Sequence, residues 1–360
     1  MNTIEVNRFS DLHVHFREDE TLKLVAPITA HYCDYALAMP NLTPPIDNIE
    51  RLIRYREELE VAFDGKCKPL MTFKLMPWMT KTHIKTFKEA GAVAAKIYPE
   101  GVTTNSSDGF SREYFDIQKT NSNIEFYDLL DSVQENDLVL CIHGEMPGSF
   151  CLDREKDLLP WVYNLSYYLD SRIVLEHITT EEAVQQIADG PENIAATVTP
   201  HHLIMTLDDV IGGELQPHNF CKPIAKRQED KEALQQAALG QHGNRFFLGS
   251  DSAPHKIFKK ECANGCAGCF TAPVYPAILA DFFASKLSDP KECHKHFQEF
   301  TSTNGNKFYN LSTTGKKVKF VKEDWSAPTF YDANEFQMWS VGSSIRTFMS
   351  EKIFSWKLVD

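Results

Sequence analysis

The chain has 360 residues, of which 42% are hydrophobic and 24% charged, and its 37 Lys and Arg against 50 Asp and Glu leave a net charge of −13. This composition is typical of a globular protein, and the charge argues against binding to nucleic acid or to an anionic membrane, which both favour an excess of Lys and Arg. Neither a basic and apolar leader nor an apolar run of about 20 residues occurs, so we expect a cytoplasmic protein.

Short β-rich segments alternate with segments of helical periodicity over the first 260 residues. Apolar side chains recur at helical spacing in residues 46–63 and 228–240. This alternation predicts an α/β protein with a parallel sheet, and eight repeats favour a closed (β/α)₈ TIM barrel over an open doubly wound sheet. The eight predicted strands span residues 11–17, 35–41, 68–76, 92–99, 138–145, 172–179, 194–200 and 245–254.

The first predicted strand carries two histidines two residues apart, His13 and His15. Because side chains alternate along a strand, we expect both imidazoles on one face with Asp11 and Arg17, and Leu12, Val14 and Phe16 on the other. Such a pair can bind one metal ion. Two histidines that only satisfy hydrogen bonds are an equally good interpretation of this pattern alone.

Further ligand-type residues lie near the ends of other predicted strands: Lys96, His143, His177 and Asp251. In a barrel these strand ends meet at one rim, where barrel enzymes have their active sites. A single buried histidine is more commonly a structural residue. Ligand-type residues at the ends of five predicted strands together indicate a metal-binding site.

Lys96 lies within an apolar predicted strand, where desolvation favours the neutral amine. Such a lysine can form a Schiff base, pair with a buried acid, or react with carbon dioxide to give a carbamate. The imidazole neighbours favour the carbamate, which can bridge two divalent cations. Zinc suits this nitrogen-rich ligand set, and a shared hydroxide would attack a carbonyl while Asp251 transfers the proton to a leaving nitrogen.

The pattern changes after about residue 254. A stretch with Cys262, Cys266 and Cys269 precedes predicted helices at 275–286 and 294–309, and the tail 316–360 is partly β-like. These cysteines could form a zinc knuckle with Cys221, but only one Cys-x-x-Cys unit occurs, and the odd total of nine cysteines favours reduced thiols. We expect two units, a barrel at 1–315 and a C-terminal extension at 316–360.

Six motifs together resemble those of the dihydroorotase family in its compact bacterial class, within the amidohydrolase superfamily. The resemblance runs in order from about residue 11 to 275. The motifs are Asp11-Leu12-His13-Val14-His15-Phe16-Arg17, Met39-Pro40-Asn41, Ala95-Lys96-Ile97-Tyr98-Pro99, His143-Gly144-Glu145, Glu176-His177-Ile178-Thr179-Thr180 and Asp251-Ser252-Ala253-Pro254-His255. The resemblance implies a (β/α)₈ barrel that interconverts N-carbamoyl-L-aspartate and L-dihydroorotate in pyrimidine biosynthesis, and it suggests a homodimer.

Carried over by position, the resemblance implies two zinc ions bridged by carbamylated Lys96 and a hydroxide. Asp251 is then the general acid and base. One ion has the ligands His13, His15, Lys96 and Asp251, and the other has Lys96, His143 and His177. The implied substrate-binding residues are Arg17, Asn41 and His255 for a carboxylate, the Thr103 and Thr104 hydroxyls, and the main chain at Lys222 and Ala267.

Two positions depart from the usual bacterial pattern: His201 stands where glutamine is usual in Thr-Pro-Gln-His-Leu, and Lys222 stands where leucine is common. Neither change removes a ligand. Three rival interpretations stay open at this point. They are a cyclic amidase for a neutral substrate, such as a dihydropyrimidinase or an allantoinase; a Schiff-base aldolase that uses Lys96; and a metal-free interaction protein with the same fold.

Overall fold

The structure is a computed structural model that describes residues 1–118, 123–332 and 344–359. Eight parallel strands pair in chain order and form a nearly closed barrel, which confirms the predicted (β/α)₈ fold. A bridge between Val14 and Ser252 joins the end of the first barrel strand to the loop that follows the last one. Strand β1 (Thr3–Asn7) precedes the barrel strands, which are β2 (Phe9–Val14), β3 (Cys33–Ala38), β4 (Lys68–Lys74), β5 (Ala92–Ile97), β6 (Val139–His143), β7 (Ile173–Glu176), β8 (Ile194–Val198) and β9 (Phe246–Leu248).

The predicted strands are in the right places but end too late. β2 ends at Val14 rather than at residue 17, and β9 ends at Leu248 rather than at residue 254. Arg17, His177 and Asp251 have positive φ angles of 61°, 43° and 44°. This left-handed conformation is incompatible with a strand. These functional side chains therefore lie on the loops that follow the strands.

The expected alternation of faces in the first strand is also partly wrong. Leu12 lies in the apolar cluster inside the barrel, whereas Val14 and Phe16 lie in the cluster between the barrel and its helices. The pairing register of β2 with β3 shifts between Asp11 and Val14. This irregularity lets Leu12 and the two histidines that follow it all face the interior.

Helices follow the barrel strands and cover them. Asn48 and Thr180 cap two of these helices, because their side chains accept hydrogen bonds from the Arg51 and Ala183 amides. The helices are α1 (Asp19–Tyr32), α2 (Ile49–Phe63), α3 (Lys81–Glu89), α4 (Ile124–Glu135), α5 (Arg154–Tyr168), α6 (Glu181–Asp189), α7 (Asp208–Ile211), α8 (Gln228–Ala238), α9 (Ile257–Lys260), α10 (Tyr275–Lys286), α11 (Pro290–Gln298) and α12 (Asn304–Phe308).

The helix predicted at 275–286 has the predicted bounds, and those predicted at 46–63 and 228–240 are slightly shorter in the structure. The helical segment predicted at 294–309 begins earlier, at Pro290, and ends at Phe308. A π-helical turn, Glu299–Thr303, divides it into α11 and α12. Two short 3₁₀ segments complete the helical elements, Arg112–Phe115 and Pro217–Asn219.

The C-terminal segment contributes to two small sheets. Its strands are β10 (Lys317–Trp325), β11 (Phe330–Tyr331), β12 (Ile345–Arg346) and β13 (Phe354–Val359), of which β11 and β12 pair with each other. β10 pairs with β1 on one side and with β13 on the other, both antiparallel. Residues 333–343 and 360 of the predicted extension lie outside the described residues. Among the described residues, no helix is both long and apolar enough to cross a membrane.

Candidate active site

The carboxyl ends of the barrel strands surround a pocket of polar side chains. All the predicted site residues line this pocket except Lys96 and His255. Lys96 is fully buried at the end of β5, and His255 lies behind Arg17. The structure thus brings together residues from seven separate stretches of the chain, as the barrel predicts.

His13, His15 and Asp251 form the tightest group. One ligand atom from each lies within 4.8 Å of the other two, and all three residues are buried. Asp251 Oδ1 is 2.9 Å from His15 Nε2 and 3.6 Å from His13 Nε2. The Asp251 amide donates to the His13 carbonyl over 2.8 Å, so the loop after β9 is held against the end of β2.

His143 and His177 continue this group along the rim. The His13 and His177 ring centroids are 4.8 Å apart, and His143 Nδ1 is 3.2 Å from His177 Nε2. On its other side, His143 Nε2 is 2.7 Å from Glu145 Oε2. Burial lowers the pKa of all four histidines, which favours neutral imidazoles with lone pairs available to a cation.

Lys96 lies beneath these imidazoles. Its Nζ has no hydrogen-bond partner among the described residues and is 5.4 Å from the centre of the Tyr98 ring. Burial lowers the pKa of Lys96 and favours the neutral amine, despite the nearby carboxylates of Glu176 and Asp251. A buried amine without a partner is costly in a folded protein, and such groups commonly have a functional role.

Sequence reasoning assigned no role to Glu176, although it quoted the residue within a motif. Its Oε2 is 2.8 Å from His13 Nδ1 and accepts a hydrogen bond from the Thr197 hydroxyl over 2.6 Å. Burial alone would raise the pKa of Glu176, but His13 and Lys96 outweigh it and bring the pKa to about 2. The carboxylate therefore holds the proton on His13 Nδ1 and leaves Nε2 directed towards Asp251. The sequence did offer one signal for this role: Glu176 directly precedes the predicted ligand His177 and ends a strand.

The predicted carboxylate-binding residues are adjacent in the structure. Arg17 donates to the Pro254 carbonyl over 3.0 Å, and its Nη2 is 3.0 Å from His255 Nε2. Burial and the Arg17 charge lower the pKa of His255 to about 2, so the ring is neutral, and its tautomer decides whether Nε2 accepts from the guanidinium or donates to a carbonyl. The same ring nitrogen is 3.0 Å from the Ala267 carbonyl. Asn41 Oδ1 is buried and has no partner among the described residues.

The loop with Thr103 and Thr104 is held by a second buried lysine that sequence reasoning missed. Lys74 lies beside Lys96 on the neighbouring strand and donates to the Asn105 carbonyl over 3.0 Å and to Asp108. Asn105 in turn donates to the Asn41 carbonyl over 3.0 Å. Lys74 could have been found from the sequence in the same way as Lys96, because both are lysines in a buried, largely apolar strand.

Comparisons with known proteins agree on one family. The chain is 38% identical to the dihydroorotase of Aliivibrio fischeri strain MJ11, with 93% of this chain and 96% of that protein covered, and 37% identical to that of Azoarcus sp. strain BH72, with 91% and 93% covered. The crystal structure of the Campylobacter jejuni dihydroorotase superposes with a TM-score of 0.86 at 34% identity, covering 100% of this chain and 98% of that one.

A dihydroorotase from Saccharomyces cerevisiae, in complex with 5-fluoroorotic acid, superposes with a TM-score of 0.87 at 31% identity, covering 100% of this chain and 99% of that one. The L-hydantoinase of Arthrobacter aurescens shares the fold at 14% identity, with a TM-score of 0.76 and 98% and 82% coverage. No family model matches the chain.

Proposed function

The chain belongs to the dihydroorotase family, and we propose that the residues at its barrel mouth are the catalytic centre of that activity. The chain catalyses the interconversion of N-carbamoyl-L-aspartate and L-dihydroorotate in pyrimidine biosynthesis. Dependence on zinc is typical of this family.

The donor set at the mouth fits a pair of zinc ions. We assign His13, His15 and Asp251 to one ion and His143 and His177 to the other, with a carbamate on Lys96 between them. The nitrogen and oxygen donors and the absence of thiols among them suit catalytic zinc. When bound, the metal pair supplies Lewis acidity and lowers the pKa of the attacking water.

Lys96 is the residue on which this assignment depends. Only a neutral amine can add to carbon dioxide, and burial favours that form here. The reaction forms an N–C bond, releases one proton and gives an anion with two oxygens. Nζ has no protein partner that would compete for it among the described residues. The carbamate would also replace a buried amine without a partner by an anion that bound metal ions would neutralise.

Asp251 is placed to transfer the proton. In hydrolysis it accepts a proton from the attacking water and delivers it to the ring nitrogen that leaves; in ring closure it takes that proton from the nitrogen. Burial raises the pKa of Asp251, although the neighbouring histidines oppose the shift. A raised pKa brings a carboxyl closer to the pH at which it works as both acid and base.

Arg17, Asn41 and His255 bind the substrate carboxylate in this proposal. A guanidinium and an amide donor together match a carboxylate, and Asn41 lines the same pocket as Arg17. The yeast relative was crystallised with 5-fluoroorotic acid, a pyrimidine with a carboxylate, which supports an anion-binding subsite. The hydroxyls of Thr103 and Thr104 and the main chain at Lys222 and Ala267 are assigned to the rest of the substrate.

The convergence of four imidazoles and one carboxylate around a buried lysine carries this proposal. Metal analysis of the purified chain, together with an ultraviolet assay of dihydroorotate ring opening, tests it. We expect about two zinc ions per chain at the mouth and turnover that a chelator abolishes and zinc restores. A chain that turns over the substrate equally well after complete metal removal would contradict the proposal.

The cyclic amidases that act on neutral substrates are the nearest alternative, and Arg17 distinguishes them. We expect Arg17→Met to raise the KM for N-carbamoyl-L-aspartate by about 10- to 100-fold, since a charged hydrogen-bonded pair contributes roughly 1.5–3 kcal/mol. Arg54→Met, which removes an exposed arginine of α2, is the control. An unchanged KM for Arg17→Met would contradict the assignment of Arg17 to the substrate carboxylate.

We also propose that 1–315 is the catalytic unit, on which 316–360 packs, and that the chain works as a cytoplasmic homodimer. Pairing of β1 with β10 supports the packing of the extension on the barrel. Size-exclusion chromatography with light scattering tests the dimer, and a monomer at micromolar concentration would contradict it.

A further inference from the structure

A second cluster of metal-ligand residues lies outside the pocket. His201, His202 and Cys221 each offer one ligand atom, and these three atoms lie within 4.8 Å of one another. All three residues are buried, as is Cys269. None of the four lines the active-site pocket, so the proposed reaction makes no use of them.

His201 is the unexplained member of this group. It is fully buried, and neither of its ring nitrogens has a hydrogen-bond partner among the described residues. Burial and the neighbouring His202 lower its pKa, so the ring is neutral and one nitrogen offers a lone pair. Its ring centroid is 4.4 Å from that of His202. A buried imidazole without partners is expensive unless a ligand satisfies it.

His202 is already oriented as a metal ligand requires. Its Nδ1 is 2.8 Å from the Thr199 hydroxyl, and its Nε2 is 3.4 Å from Cys221 Sγ. Nε2 is also 3.1 Å from the Pro223 carbonyl, to which it donates in one tautomer. In the other tautomer, with the proton on Nδ1, the ring donates to Thr199 and directs the Nε2 lone pair towards the thiol. Ligating histidines are commonly held through their second nitrogen in this way.

Two thiols adjoin the imidazoles. Cys269 lies in the same buried cluster as Cys221, and the Gly268 amide before it donates to the Phe220 carbonyl over 2.8 Å. Contact with the Cys269 thiol raises the pKa of Cys221. Cys269 is therefore placed beside the group of three as a fourth ligand. Lys260 also acts on both thiols, and its Nζ donates to the Phe220 carbonyl over 3.0 Å and to the Gly268 carbonyl over 2.7 Å. A buried cation beside two thiols offsets the negative charge that they acquire when they bind a metal.

We propose that His201, His202, Cys221 and Cys269 bind a further zinc ion in a closed, structural site. Two imidazoles and two thiolates are a usual tetrahedral set for structural zinc. Each thiol that binds loses its proton to solvent, and no oxidant or reductant is needed. This inference goes beyond the proposed function and does not depend on it.

The position of the site indicates what it stabilises. Cys221 directly precedes Lys222, and Cys269 follows Ala267 by two residues, so the ion would join the two loops that lend main-chain groups to the pocket. Cys262, which is exposed, and Cys266, which is half-buried, lie outside the cluster. The site therefore differs from a knuckle formed by the cysteine-rich stretch 262–269.

Cobalt substitution separates this site from the catalytic one. Thiolate ligands give Co²⁺ a charge-transfer absorption in the near ultraviolet, and the nitrogen and oxygen ligands of the mouth do not. We expect this band in the cobalt-loaded chain, and about three zinc ions per chain after zinc loading and dialysis. A cobalt-loaded wild-type chain without the band would overturn the inference, whatever the activity of the mouth.

Matched variants locate the site. We expect Cys221→Ser and Cys269→Ser to lose the band and one zinc ion per chain, and His201→Gln, which introduces the residue usual in the family, to weaken zinc binding at least tenfold. Cys262→Ser is the control and should keep both. If Cys262→Ser loses the band while Cys221→Ser keeps it, the cysteine-rich stretch binds the metal and the inference is wrong. Lys96→Ala should remove mouth metal and leave the band, so the two proposals fail independently.

Discussion

Two clusters of potential metal ligands lie among the described residues, and they differ in donor chemistry and in access. The mouth cluster (His13, His15, Lys96, His143, His177 and Asp251) has nitrogen and oxygen donors, and all of it except Lys96 lines the pocket. The thiol cluster (His201, His202, Cys221 and Cys269) adds sulfur donors, and none of it lines the pocket. Catalytic zinc needs a position that substrate or water can occupy, whereas structural zinc is fully enclosed by protein. The comparison indicates that access, more than ligand number, separates the two roles.

Asp251→Asn should have the largest effect on turnover, and we expect this effect to be confined to the mouth cluster. An amide cannot accept the proton, so we expect kcat to fall by about 10³- to 10⁴-fold, as for loss of a general acid and base. Steady-state kinetics measure this, and circular dichroism confirms the fold. Asp170→Asn, which changes an exposed carboxylate, should retain full activity. The cobalt–thiolate band should persist in Asp251→Asn, and its loss would show that the two clusters are coupled.

Lys96→Ala tests the carbamate directly. Without the bridging anion, the two mouth ions lose their common ligand, and we expect turnover to fall more than about a hundredfold. Short carboxylic acids such as acetate should restore part of the activity, because two oxygens can occupy the space of the carbamate. A variant that keeps zinc and activity without added acid would exclude the carbamate. Trapping of wild-type Lys96 by borohydride with a carbonyl substrate would instead favour the Schiff base.

Glu176→Gln should have an intermediate effect on the mouth. The amide can still hydrogen-bond to His13 but no longer stabilises the proton on Nδ1 through charge. Loss of such a partner typically lowers metal affinity or activity by about 10- to 100-fold. We expect competition with a chelator to show weaker zinc binding, with turnover largely restored at high zinc. If excess zinc does not restore turnover, Glu176 acts on the reaction by another route.

Lys260→Met should give the smallest effect, and it tests the surroundings of the thiol cluster instead of the mouth. The change removes the hydrogen bonds from Nζ to the Phe220 and Gly268 carbonyls. Loss of such bonds costs about 1–3 kcal/mol, so we expect a Tm lower by a few degrees in a thermal melt. Lys259→Met, which alters the exposed neighbouring lysine, is the matched control and should melt with the wild type. Equal Tm values for the two variants would show that Lys260 does not stabilise these loops.

Much of the mouth was predictable because its residues recur at the ends of predicted strands. His143 and Lys96 are found on β6 and β5, as expected, and the barrel topology brings them together with His13 of β2 and with Asp251 in the loop after β9. The ends of the strands were harder to predict. The left-handed backbone at Arg17, His177 and Asp251 leaves no clear signal in residues that are not glycine.

The partners behind the site were not predictable in the same way. Glu176 contacts His13 across 163 residues of sequence, and Lys74 reaches the Asn105 loop only because β4 and β5 are neighbours. The thiol cluster shows the same limitation. The spacing of the cysteines suggested a site that includes Cys262 and Cys266, which are not buried. Cys221 and Cys269 are buried, and Cys221 lies with two histidines.

The sequence by itself determined the class of fold and the chemical types at the mouth, because strand periodicity and ligand residues at strand ends are local features. Only the tertiary structure decided which side chains are partners, which are enclosed and which reach the pocket. Those properties depend on contacts between segments far apart in the chain, and on the desolvation that follows from them. Desolvation lowers the pKa of Lys96, and burial leaves His201 without a partner among the described residues.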